Sequence, residues 1–195
     1  DHRDLHSFPT RRSSDLNFHQ RIEGGSLAAR IDVVISNVGS ALGLAKAERY
    51  GYPAFHCRDD RSINQTLAGY DVDIVCLAGY LKLYVPPPAL ARAVINIHPA
   101  LIPSFCGPGY YGHHVHEAVK KRGCTVSGCT VHFADGLYDN GPIILQQCVE
   151  LGYDDDIDTI AAKVFAVECQ AFPEAINRVD RLGIDYFWKR VGGER

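Results

Sequence analysis

Asn96, His98 and Asp139 stand at the ends of two apolar runs, V-I-N-I-H-P at 94–99 and G-C-T-V-H-F-A-D-G-L-Y-D-N-G-P-I at 128–143. An amide, an imidazole and a carboxylate in such places suit acyl transfer. When an amine attacks an acyl carbon, negative charge grows on the carbonyl oxygen, and a fixed amide N–H such as that of Asn96 can stabilise it. The amine must also lose a proton while the leaving nitrogen gains one, and an imidazole titrating near neutrality can carry both. Asp139 is the group to orient His98, because its Tyr-Asp-Asn-Gly-Pro turn follows the strand-like run Cys129–Phe133 and can fold back over the ring. A carboxylate there favours the charged imidazole. Taken singly, each residue has a plainer reading: an Asp in a D-N-G turn serves the turn, and a His at a strand end is a satisfied polar group.

The elements that position these groups follow from periodicity. Asn96 and His98, two apart in a β-rich segment stopped by Pro99, share one face near a strand's carboxyl end, where open α/β sheets bind ligands. Strands are expected at 31–35, 53–56, 73–78 and 94–97, with helices at 41–50 and 62–70 between them. Longer strands at 125–133 and 143–149, one of them antiparallel, flank the Asp139 turn. A helix is expected over 156–181, acidic at its start and carrying Arg178 and Arg181 at its end. This alternation predicts an α/β fold: a doubly wound, mostly parallel sheet of Rossmann-like type with helices on both faces.

Composition narrows the function class. The formal charge of −3 over 195 residues is scattered, so there is no basic field for nucleic acid. The longest apolar stretches fall short of a membrane-spanning helix, and the first residues lack a secretory pattern, so a cytoplasmic protein is expected. Seven cysteines at irregular spacings read as reduced thiols, packing in the core where they fall in apolar runs, as Cys76 and Cys129 do. The stretch 104–116, S-F-C-G-P-G-Y-Y-G-H-H-V-H, reads as a flap before a helix at 115–121. Its histidines, His113, His114 and His116, are read as solvent-facing or substrate-lining, with no metal expected.

The strings N-I-H-P-A-L-I-P-S-F, G-C-T-V-H-F and D-N-G-P-I-I-L-Q, in this order, resemble the folate-dependent formyltransferases. The likeness is greatest to the branch that formylates phosphoribosylglycinamide in purine synthesis, and it runs from about residue 17 to about 182. It implies a fold of the formyltransferase type, with 10-formyltetrahydrofolate as donor, the amine of 5-phosphoribosylglycinamide as acceptor, and no metal. It carries the catalytic roles to Asn96, His98 and Asp139. It assigns folate binding to Arg61, to the segment 77–84 including Leu81, Lys82, Leu83 and Tyr84, and to Asn96. Met-Arg is the commoner pair where Leu81 and Lys82 stand. Asn17, Pro99 and Glu168 are assigned to the acceptor. The resemblance leaves open a monomer or a homodimer. Rival readings are 10-formyltetrahydrofolate hydrolysis and folate binding without turnover.

The start departs from that pattern. The related proteins open with an apolar strand and a glycine-rich phosphate turn ending in Ser-Asn, with Asn17 as that final residue and a helix after it. Residues 1–16, D-H-R-D-L-H-S-F-P-T-R-R-S-S-D-L, hold neither an apolar run nor a glycine and resemble translated adapter DNA. They are expected to stand in place of the native start, with the first strand and phosphate loop missing. Residues 17–195 are then expected to form one domain.

Overall fold

The computed structural model describes residues 14–191. The expectations of a foreign start and a missing first strand lie outside the described residues, except for 14–16, which are helical. The chain divides into two compact units, one up to Val72 and one from Asp73 onward.

The first unit contains α1 (Ser14–Glu23), β1 (Val34–Ser36), α2 (Leu42–Arg49), β2 (Ala54–His56) and α3 (Asp60–Leu67). Strands β1 and β2 pair in parallel through the α2 crossover, with Ile35 opposite Phe55. Helix α3 begins two residues before the expected 62. Asp59 is its N-cap and forms a capping box with Ser62, so Ser62 lies inside the first turn rather than before it. Helix α1 is held to the end of α2 by His19, which stacks on Tyr50 at 3.9 Å between ring centroids and meets the Tyr52 hydroxyl at 2.9 Å.

The second unit contains β3 (Val75–Leu77), a 3-10 turn (Pro88–Leu90), β4 (Val94–His98), α4 (His113–Arg122), β5 (Val126–Phe133), β6 (Ile143–Glu150), α5 (Ile157–Leu182) and α6 (Ile184–Val191). Its sheet runs β3-β4-β5-β6. The parallel pairing expected of a wound fold appears in β3–β4, as it does in β1–β2, while β5 runs antiparallel to both neighbours and makes this sheet mixed. The short connection from β5 to β6 is a hairpin, which dictates that antiparallel pair. The 3-10 turn and α6 were not anticipated from the sequence.

Both faces of β4–β5 are covered, since the neighbours Val94 and Ile95 point to opposite sides and are both buried. Val94, Ile95, Val131 and Phe133 are fully buried with Val115 and Val119 of α4. Along α5, Ile160, Val164, Ala171, Ala175 and Val179 recur at helical spacing and bury one stripe. Asp156 caps α5 by accepting from the Thr159 N–H at 2.7 Å. Helix α6 packs against the end of β5 and the entry to β4: Phe187 lies 5.8 Å from the Phe133 ring and Trp188 donates to the Arg92 carbonyl at 3.1 Å. None of the seven cysteines is in a disulfide, and burial pushes the Cys76 and Cys129 thiols up to about 12, so both behave as small apolar residues.

Candidate active site

Strands β4 and β5 set two pairs of residues side by side, Asn96 opposite His132 and His98 opposite Thr130. Because side chains alternate along a strand, these four share a face. Here His98 and His132 are buried and Asn96 is half-buried.

Loop segments complete the cluster. The 99–112 segment after β4 brings Phe105 back so that its carbonyl oxygen lies 2.8 Å from Nε2 of His98. A carbonyl only accepts, so Nε2 carries the proton and donates. Nδ1 of His98 then faces Oδ2 of Asp139 at 3.5 Å, and the same oxygen accepts from the Gly107 N–H at 2.8 Å. Phe105 and Asp139 both adopt left-handed backbone, with φ of 50° and 54°, the conformation that lets each turn back toward the ring.

The charge balance follows. Burial lowers the His98 pKa below its ordinary value, Asp139 and the Phe105 carbonyl oppose that, and nearby His132 adds to the lowering. Asp139 does favour the imidazolium, as its position after β5 suggested, but burial outweighs it. For Asp139 itself burial works upward, yet His132, the Gly107 N–H and His98 together hold the carboxyl below its usual range. The resting pair is a neutral imidazole facing a carboxylate.

His132 was part of a quoted motif but had no role assigned from the sequence. Its Nδ1 lies 2.8 Å from the Phe133 carbonyl and must donate there, which leaves Nε2 as an acceptor for Asn96 Nδ2 at 3.2 Å. The Asn96 amide is thereby oriented, with one N–H used and one left to give. His132 Nε2 also lies 3.7 Å from Asp139 Oδ1, so the ring stands beside both the amide and the carboxylate. The period-two spacing of Thr130 and His132 was legible; their alignment with His98 and Asn96 depends on register.

The remaining expected site residues are placed as follows. Pro99 is half-buried directly after β4. Glu168, half-buried on α5, has its carboxyl pushed up to about 7 by burial. In the 77–84 segment Leu81, Lys82 and Leu83 are exposed. Tyr84 is 5% exposed and packs edge-on to Tyr80, so it anchors the segment in the core. In the first unit, Asn17 is half-buried on α1 and Arg61 is exposed in the first turn of α3.

The flap histidines are also corrected in part. Helix α4 starts at His113, two residues earlier than expected, so all three are helical. His114 is exposed and lies 3.4 Å from Glu117. His116 is neither solvent-facing nor open to a substrate: it is 4% exposed with no partner for Nδ1, and burial, then His113 and His98, lowers its pKa to about 4. Among the described residues no group of three or more His, Cys, Asp or Glu side chains is arranged to hold a metal. Among them, too, no helix is long and apolar enough to cross a membrane.

Residues 12–176 match the family described as formyl transferase. The chain is 36% identical over 188 residues to the chloroplastic phosphoribosylglycinamide formyltransferase of Vigna unguiculata, covering 90% of this chain and 59% of that protein. It is 37% identical over 163 residues to the human trifunctional purine biosynthetic protein adenosine-3, covering 78% of this chain and 16% of that one. The chain therefore spans less than two thirds of these curated relatives. Among solved structures, glycinamide ribonucleotide transformylase 1 from Symbiobacterium toebii matches with a TM-score of 0.76 at 34% identity, over 88% of this chain and 82% of that one.

Proposed function

We propose that this chain, which belongs to the formyl transferase family, transfers the formyl group of 10-formyltetrahydrofolate to the amine of phosphoribosylglycinamide, a step of purine biosynthesis. The observation that carries the reading is the union of an amide oriented by His132, a buried imidazole and a carboxylate, in a chain similar to proteins named for that reaction. The substrate amine attacks the formyl carbon, a C–N bond forms, and the carbonyl electron pair moves to oxygen, where the free N–H of Asn96 stabilises it. His98, neutral at pH 7, takes the proton released by the amine. The resulting imidazolium is opposite Asp139, which holds its charge. Collapse of the intermediate breaks the bond to the folate nitrogen, and His98 returns the proton there. Nε2 rests protonated against the Phe105 carbonyl, so to take the amine proton it must leave that oxygen and the ring must first carry its own proton on Nδ1, facing Asp139.

Folate binding by Arg61 and by 81–84, and acceptor binding by Asn17, Pro99 and Glu168, belong to the same proposal. Support for the 81–84 portion is its solvent-facing apolar side chains on a segment pinned by Tyr84, a surface suited to a flat heterocycle. A cytoplasmic location is also part of it, in keeping with seven cysteines that form no disulfide. The test is formyl release from 10-formyltetrahydrofolate with and without phosphoribosylglycinamide. Acceptor-dependent turnover is expected; acceptor-independent release, or binding without release, overturns the assignment.

A further inference from the structure

Thr130 occupies a fully buried strand position where valine has the same shape and no polar group to satisfy. Its hydroxyl is saturated. It donates to the Ala100 carbonyl at 2.7 Å and accepts from the Ile102 N–H at 3.0 Å and from Nε2 of Gln146 at 3.0 Å. That is the full capacity of a hydroxyl, one donor and two lone pairs. Gln146, the cross-strand neighbour of Thr130 on β6, uses its second N–H on the Ile102 carbonyl at 2.9 Å.

Every one of these bonds outside the Thr130–Gln146 pair goes to residues 100 and 102, which directly follow His98 and lead into the segment whose Phe105 carbonyl holds the ring and whose Gly107 N–H holds Asp139. Thr130 also faces His98 across the β4–β5 ladder. A displacement at residue 102 has only a few peptide units in which to dissipate before it reaches Phe105.

We infer that Thr130 and Gln146 form a two-strand clamp that positions the His98–Asp139 pair by fixing the root of the 100–107 segment; they are positioning residues that touch no reacting atom. The inference rests on the roles proposed above for His98 and Asp139. Replacing the hydroxyl by a methyl leaves the Ile102 N–H and Ala100 carbonyl without their partner. The segment then loosens, and His98 gains water and loses its fixed acceptor.

The clamp is tested with Thr130→Val, Thr130→Ser and Gln146→Met, measuring kcat, both KM values and the His98 titration by NMR of the imidazole. Thr130→Val is expected to lower kcat about tenfold with KM values within about threefold, since misplacement of catalytic groups affects the chemical step. Its His98 midpoint is expected to move up toward the ordinary histidine value. Thr130→Ser, which keeps the hydroxyl, is expected to stay close to the parent on both measures. A Thr130→Val protein with parental kcat and parental His98 midpoint overturns the clamp. If Thr130→Val does not fold, Gln146→Met is decisive on the same two readouts. If the unaltered protein transfers no formyl group to phosphoribosylglycinamide, the functional assignment fails, while the His98 titrations still decide the clamp.

Discussion

The site has a strand-borne half and a loop-borne half, and they are held by different physics. Asn96, His98, Thr130 and His132 sit on two adjacent strands in regular register, their positions dictated by the ladder and by a core with no exposure at Val94, Ile95, Val131 and Phe133. Phe105, Gly107 and Asp139 have positive φ values of 50°, 90° and 54°, and are held by single hydrogen bonds, Phe105 to His98 within the same stretch of chain and Gly107 to Asp139 from a distant loop. The strand half supplies groups whose placement is costly to disturb without unfolding; the loop half supplies groups that can be moved while the sheet stands. Chemistry that needs a fixed oxyanion donor and an exchangeable contact at Nε2 benefits from having both.

The largest effect is expected within the strand half. Asn96→Ala and His98→Ala should each lower kcat by about a thousandfold or more, with unchanged circular dichroism, because each removes a group acting on the transition state while leaving the ladder intact. Turnover within tenfold of the parent in either protein breaks the division of roles. In the loop half, Asp139→Asn keeps a side chain that tolerates left-handed backbone and removes only the charge. A loss of about a hundredfold in kcat is expected, with the His98 midpoint falling further, since Asp139 is the leading influence that raises it.

Two glycines sharpen the contrast through stability. A methyl on Gly128, in β5, would overlap the Gln147 carbonyl oxygen, so Gly128→Ala should cost about 3 kcal/mol or more of global stability by chemical denaturation. Gly107 has open space around it but a φ of 90°, so Gly107→Ala strains only the loop. For it, a denaturation midpoint near the parent with kcat about tenfold lower is expected, and a global loss matching that of Gly128→Ala would erase the distinction.

The smallest effect is a pH dependence outside both halves. His116 titrates near 4 when folded and near 6.5 when unfolded, so its neutral form stabilises the fold fully above pH 6.5 and that stability is lost as pH falls toward 4. At pH 5 the loss relative to pH 7.5 is about 2 kcal/mol from this residue. His116→Phe should reduce the acid sensitivity of the denaturation midpoint by about that amount; an unchanged pH profile removes His116 from this role.

Much of this arrangement was written in local spacing. Asn96 and His98 share a face because they lie two apart in a β-rich run, and the placement of α2 and α5 followed from apolar periodicity and helix-end chemistry. The start of α3 was misjudged because Asp59 caps it from before Ser62, and α4 because no side chain marks its beginning at His113. Helix α6 escaped notice: it is one short segment after Gly183 whose burial comes from Phe133, more than fifty positions earlier.

The sequence by itself determined which chemical groups exist, which of them lie on one face of one strand, and, through three ordered strings, the family. Only the tertiary structure decided that His132 orients Asn96, that Thr130 binds the segment after His98, that the Phe105 carbonyl sets the His98 tautomer, and that burial prevails over Asp139 in setting the charge of the ring. The division has a physical cause. Strand and helix periodicity depend on neighbours a few residues apart, whereas register, desolvation and a hydrogen bond between positions 30 or more apart depend on which surfaces the folded chain brings together.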